Sequence, residues 1–285
     1  ASPRQGKSVK QLVAKLLPVP VLNTLRNLRD RQRLGLVPPL HFDAAHLRPA
    51  SDCASLLAAF GETTIEPSWL AAQAEIGAVM KDIDLYGGVN PGDRRALFYL
   101  VTALRPRRVL EVGTHIGAST LYIAQALKRS GLEATVTTVD VVDVNAAHGP
   151  WQQLGLPRAP AANARQLGCR ERISFCAQSS LAFMQATAER FDLIFLDGDH
   201  SANAVYQEVA AGLRLLNPGG VILLHDYYPD ARLMYPDGTI IFGPFQALRR
   251  IGRENAAIKV CPLGALPWQT KQGSHLTSLA LVTRQ

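Results

Sequence analysis

From residue 107 onward, short apolar runs alternate with longer segments of helical periodicity. The runs at 108–112, 134–139, 173–176, 193–196 and 221–224 have few polar positions, the pattern of strands buried on both faces of a parallel sheet. Helical stretches at about 118–130, 160–168, 180–189 and 202–216 separate them, and Pro218-Gly219-Gly220 is expected to stop the last helix just before the fifth strand. A helix near 244–253 leads to a final strand pair at 257–260 and 278–282. Five βα units plus a strand pair predict an α/β protein with a doubly wound, mostly parallel sheet of seven strands.

The first third reads differently. Residues 8–36 alternate apolar and basic positions and predict one or two short amphipathic helices, broken at Pro18 and Pro20. Residues 37–64 read as a connection with a short helix near 54–60. A helix follows over 67–83, with Leu70, Ala74, Ile76 and Met80 inward, and then one opened by Asn90-Pro91-Gly92-Asp93 that runs to about Leu104. This divides the chain into an N-terminal basic helical extension with a connecting segment, 1–85, and an α/β domain, 86–285.

Charge sharpens that division. Eight Lys and Arg stand against Asp30 alone in residues 1–36, while 22 basic and 22 acidic residues balance over the rest. A neutral body offers no groove for nucleic acid. The basic segment 7–36 packs either on its own domain or on a second copy of the chain; the alternative is contact with a membrane surface. No run of about 18 apolar residues suggests a membrane span. Cys53, Cys169, Cys176 and Cys261 lack C-x-x-C spacing and read as reduced thiols of a cytoplasmic protein, peripheral to the membrane if the basic segment docks there.

The first strand of the domain runs into Glu111-Val112-Gly113-Thr114-His115-Ile116-Gly117-Ala118-Ser119-Thr120. Gly113 permits a sharp turn, Gly117 a close backbone approach, and the next helix opens with free N–H groups. A dinucleotide loop would carry G-x-G-x-x-G; this one has G-x-x-x-G, and Glu111 suits a cationic ligand better than a pyrophosphate. The second strand ends in Asp140, a carboxylate placed to accept from ribose hydroxyls.

With F-D-L-I-F-L-D-G-D-H at 191–200 and P-G-G-V-I-L-L-H-D at 218–226, these segments resemble the class I S-adenosylmethionine-dependent methyltransferases of Rossmann-like fold. Within them they are most similar to small-molecule O-methyltransferases of the catechol and caffeoyl-coenzyme A type. The resemblance runs from about Tyr86 to the C-terminus. It implies that Glu111, Gly113, Thr114, Gly117, Ser119 and Thr120 hold the methionine part of S-adenosylmethionine. It implies that Asp140 holds the ribose, that Val141, Gln178 and Ser179 border the adenine, and that Asp197 lies near the sulfonium.

The pairs Asp197–His200 and His225–Asp226 close neighbouring strands on one sheet edge. Together they suit a hard cation such as magnesium, with Asp197 and Asp226 as ligands, or deprotonation of an acceptor hydroxyl by His225, Asp226 or His200. Metal-dependent relatives typically end the fifth strand in Asp-Asn. The corresponding residues here read as Asp226–Tyr227, so no third ligand is evident. The aromatic stretch after the fifth strand and the long connection 143–168 read as two parts of a lid over a small-molecule acceptor such as a sugar or phenol. Two alternatives stand beside this reading: another nucleotide-cofactor enzyme on the same fold, and a non-catalytic cofactor-binding protein that docks through its basic arm.

Overall fold

The computed structural model describes residues 18–285 apart from 82, 87 and 239. Its centre is a seven-stranded sheet: β1 (Arg108–Val112), β2 (Thr135–Asp140), β3 (Ile173–Ala177), β4 (Phe191–Leu196), β5 (Leu216–Leu224), β6 (Ile258–Pro262) and β7 (Ala280–Arg284). Their spatial order is β3-β2-β1-β4-β5-β7-β6, with β7 antiparallel to both neighbours and all other pairs parallel. The connections from β1 and β4 lead away in opposite directions, which opens a crevice at the carboxyl ends of those two strands.

Successive strand residues point to opposite faces, so one strand feeds two cores. Val109, Leu193, Phe195, Val221 and Leu223 pack on one side. They meet helices α3 (Glu66–Val79), α4 (Pro91–Leu104) and α5 (Ala118–Arg129) through Trp69, Ile76, Leu97 and Leu121. Leu110, Ile194, Leu196, Ile222 and Leu224 pack on the other. That face is covered by α8 (Ser180–Ala186), α9 (Ala202–Leu213), α10 (Gly243–Glu254) and the end of α1 (Val19–Gly35). The short α2 (Cys53–Ala58), α6 (Pro150–Gln153) and α7 (Pro160–Gln166) lie in the connections. Residues 53–83 contribute to the same core as β1, as Cys53, Phe60, Trp69 and Ile83 show.

Two expectations change. Pro18 stands at the N-cap position of α1 and Pro20 sits in its first turn, where a missing N–H costs nothing, so whether a helix precedes the prolines falls outside the described residues. The remainder of the basic segment lies outside the described residues. Pro218-Gly219-Gly220 does not follow a helix, because α9 ends at Leu213 and β5 begins at Leu216. The three residues form an irregularity inside β5, where its pairing with β4 shifts register. The predicted helices 67–83 and 180–189 end early, at Val79 and Ala186.

Candidate functional site

A cavity of about 610 Å³ opens along the carboxyl ends of β1, β2, β4 and β5. Val112, Gly113, Thr114, Ser119, Asp140 and Val141 line it together with Asp197, His200, His225 and Asp226.

Each glycine of the β1–α5 loop has its own reason. Gly113 adopts φ +95°, and a Cβ there would lie 2.2 Å from the Asp197 carbonyl oxygen, so this turn needs glycine to pass the β4 end. Gly117, at φ +79°, faces Pro160 of α7, 2.9 Å from where its Cβ would sit. It serves loop packing, and the expected close approach to a ligand falls to Gly113, Thr114 and Ser119 on the cavity wall.

Glu111 stands fully buried beneath the loop, off the cavity wall. Its Oε2 accepts hydrogen bonds from the hydroxyls of Thr138, at 2.6 Å, and Thr120; its Oε1 has no partner. Burial raises its pKa to about 7, against the lowering effect of the nearby Ser119, Thr120 and Thr138 hydroxyls. An unpaired buried acceptor beside the loop fits an ammonium donor, the charge type read from the sequence.

Asp140 ends β2 and accepts from the backbone N–H of His115 at 2.9 Å and of Val142 at 3.3 Å. It ties the loop to β2 and still borders the cavity. Val141 is exposed and lines the cavity. Gln178 and Ser179 do not: Ser179 caps α8 through the Ala182 N–H, and the next residue, Ser180, reaches the wall. Thr120 likewise serves Glu111 behind the wall.

The reactive edge is tighter than the sequence indicates. His225 and Asp226 are consecutive, and a regular strand would point them apart. Asp226 instead adopts φ +57°, which leaves the strand conformation and brings both side chains to the cavity. His225 Nδ1 lies 2.8 Å from Asp197 Oδ1 and 3.5 Å from Asp226 Oδ1. His200, 31% exposed, has Nε2 3.5 Å from Asp226 Oδ2. One ligand atom each from Asp197, His225 and Asp226 lies within 4.8 Å of the others. The third member of the candidate metal set is thus His225, one residue before Asp226, and not Tyr227. Tyr227 is buried against Phe245 with its N–H on Ser278, and burial lifts its phenol to about 12.

Two acidic residues outside the sequence motifs complete the site. Asp93, fully buried in the first turn of α4, places Oδ2 3.2 Å from His225 Nε2. The same oxygen accepts from Asn90 Nδ2 at 2.6 Å and from Ser278 Oγ at 3.4 Å. The Asn-Pro-Gly-Asp signal announces a helix start, and Asn90 does cap it, but nothing in that spacing reveals a partner 132 residues away. Burial alone would push His225 down; Asp226, Asp197 and Asp93 together lift it well above the ordinary imidazole range. Glu208 of α9 also lines the cavity, holds Ser180 Oγ at 2.5 Å, and is raised by burial to about 7.

The two expected lid segments differ. Ile241 from the stretch after β5 reaches the cavity, while Tyr228, Tyr235, Ile240 and Phe242 form a small core beneath it. Residues 143–168 add nothing to the wall. Trp151 bonds the Ala146 carbonyl, and Pro160 backs Gly117.

Residues 110–227 match a family described as a methyltransferase domain. A putative O-methyltransferase of Mycobacterium sp. (strain JLS) is 31% identical over 183 residues, covering 64% of this chain and 74% of that protein. A catechol O-methyltransferase of Niastella koreensis is 26% identical over 151 residues, 53% of this chain and 63% of its own length. Among solved structures, an O-methyltransferase from Bacillus cereus in complex with SAH shares the fold, with TM-score 0.50 and 18% identity over 92% of this chain and 100% of that one.

Proposed function

Since the chain belongs to the class I S-adenosylmethionine-dependent O-methyltransferases, we propose that its cavity aligns a small hydroxylated acceptor with the cofactor at the edge formed by Asp197, His200, His225 and Asp226. The carrying observation is continuity: the glycine loop, Asp140 and the acid–histidine edge border one cavity. When bound, S-adenosylmethionine supplies an electrophilic methyl group; Glu111 and the Gly113–Ser119 loop suit its amino-acid end, and Asp140 its ribose. The protein's own work is orientation, exclusion of water and removal of the acceptor proton.

Of the two imidazoles, His200 is the better base. His225 is buried, with Nε2 3.2 Å from Asp93 and Nδ1 2.8 Å from Asp197, so carboxylates already face both ring nitrogens. His200 is accessible from the cavity and has Asp226 behind it to stabilise the charge it gains. The test is transfer of a labelled methyl group to a panel of phenols, sugars, amines and thiols. Hydroxyl acceptors should dominate, and His200→Ala should lower turnover while S-adenosylhomocysteine still binds. Transfer only to amines or thiols would overturn the acceptor class; failure to bind the cofactor product would overturn the cavity assignment.

A second observation favours surface docking by α1. The helix turns Asn23, Asn27, Asp30 and Leu34 inward, while Leu25 and Leu28 are 51% and 56% exposed among Arg26, Arg29 and Arg33. Apolar side chains facing water between arginines suit an anionic lipid surface.

A further inference from the structure

We infer that the groove between α1 and α10 is a phosphate pocket that captures the headgroup of a phosphomonoester lipid, of the phosphatidic acid type, when α1 lies on a membrane surface. The inference rests on reading α1 as a docking helix, and adds to it the class of lipid and the arginines that select it.

Three observations carry it. The first is the charge of the groove. It encloses about 240 Å³ and is walled by Arg31 and Leu34 of α1 and by Gln246, Arg249, Arg250 and Arg253 of α10. The two helices carry seven arginines against Asp30 and Glu254. Asp30 is buried on the inward face of α1, and Glu254 is committed to Arg250, with Oε1 2.7 Å from Nε. Like charges gathered around one pocket repel, and an anion between them relieves the repulsion.

The second is how the arginines are held. Arg250 is half-buried, donates from Nη1 to the Leu34 carbonyl at 2.6 Å, and lies 4.3 Å from the centre of the Tyr206 ring. It braces α1 against α10 and fixes the width of the groove. Arg31, Arg249 and Arg253 are exposed. Arg249 Nη2 donates to Gln246 Oε1 at 2.7 Å, and Arg253 Nε to the Arg249 carbonyl at 3.3 Å. Each of these contacts occupies one nitrogen of a five-donor fork, so both guanidinium groups retain donors for phosphate oxygens, with Arg31 on the facing helix.

The third is what borders the groove. Val21, Leu25 and Leu28 are 43%, 51% and 56% exposed on the side of α1 turned away from Asp30 and Leu34. Leu28 and Arg31 are three residues apart and therefore neighbours on the helix surface, so the pocket opens beside an apolar stripe. A lipid satisfies both features at once, whereas a nucleic-acid backbone would engage the arginines and leave the leucines in water. A phosphomonoester, with nearly two charges and three terminal oxygens, also fills more of the guanidinium forks than the phosphodiester of phosphatidylserine.

The experiment sediments the full chain with phosphatidylcholine vesicles that contain phosphatidic acid or phosphatidylserine, adjusted to the same surface potential. Binding to phosphatidic acid should be at least about tenfold tighter, the scale of one added hydrogen bond between charged groups. Arg249→Lys combined with Arg253→Lys keeps the charge and removes the forks. It should bind phosphatidylserine as the wild type does and lose most of the preference for phosphatidic acid, while unchanged S-adenosylhomocysteine binding shows that it is folded. Glycerol 3-phosphate, titrated calorimetrically, should bind at least about a hundredfold more weakly than the lipid, because it lacks the anchoring of the apolar stripe. Equal binding to the two vesicles, with Leu25→Glu and Leu28→Glu together still abolishing both, would overturn the pocket and leave the docking of α1 standing. Absence of binding to either vesicle would overturn both readings. A lysine variant that retains the full preference would place the selection outside the groove, and glycerol 3-phosphate binding as tightly as the lipid would assign the pocket to a soluble phosphate; either result overturns the inference.

Discussion

Thr138 donates to Glu111 across the β1–β2 pair at 2.6 Å, and the second carboxylate oxygen of Glu111 is left without a donor. Burial has already raised that carboxyl to about 7, so near neutrality much of it carries a proton. An arriving ammonium group favours the charged form and drives the proton off. Affinity for S-adenosylhomocysteine should therefore strengthen as pH rises toward 7, by up to about tenfold per unit, and level off above it. Calorimetry between pH 5.5 and 8.5 checks this. Glu111→Gln should flatten the profile, and a pH-independent wild type would refute the pairing.

Asp140 serves the loop and the ligand with one carboxylate. Asp140→Ala removes acceptors from the His115 and Val142 N–H groups as well as the proposed ribose contact. Cofactor-product binding should weaken by at least about tenfold, the scale of one or two hydrogen bonds to a charged group. Unchanged affinity would place the ribose elsewhere.

Glu208 makes a stability claim with a definite sign. Its folded pKa, about 7, lies above the unfolded value of about 4.5, so the unfolded chain ionises first and stability falls as pH rises from about 4.5 to 7, then levels off. The full shift is worth about 3 kcal/mol at most. Glu208→Gln keeps a partner for Ser180 without the charge. It should melt several degrees above the wild type at pH 8.5 and close to it at pH 4, where the glutamate is mostly protonated in the folded and the unfolded chain alike. Equal melting at both pH values would show that the carboxylate is not penalised.

For α1, the full chain should sediment with vesicles containing phosphatidylserine, less with phosphatidylcholine alone, and less at high salt. Leu25→Glu with Leu28→Glu should abolish binding. Absence of vesicle binding, with light scattering showing the wild type associated and the double variant monomeric, would assign the face to self-association.

How much of this is legible in the sequence varies with the range of the interaction. The β1–α5 loop and Asp140 are readable because glycine, strand end and helix start are neighbours in the chain. The strand alternation is readable for the same reason, and both cores follow from it. His225 as a partner of Asp197 is harder, because a regular strand would point it away from Asp226, and the left-handed backbone at Asp226 leaves no mark in composition. Asp93 is harder still: its local role is to open α4, and its role behind His225 exists only once β5 and α4 meet. Glu208 reads as an ordinary helical glutamate until α8 brings Ser180 against it.

Asp93, which faces His225 from behind, and Ser278, which donates to Asp93, lie on either side of the 110–227 segment that matches the methyltransferase family. A graft of that segment into another scaffold would carry the cofactor loop and both histidines but leave behind the bracket that orients one of them. Chimaeras between relatives should therefore keep residues 90–93 and 278 from the same parent as His225, since what recombines safely is the bracketed unit and not the stretch that sequence comparison recognises.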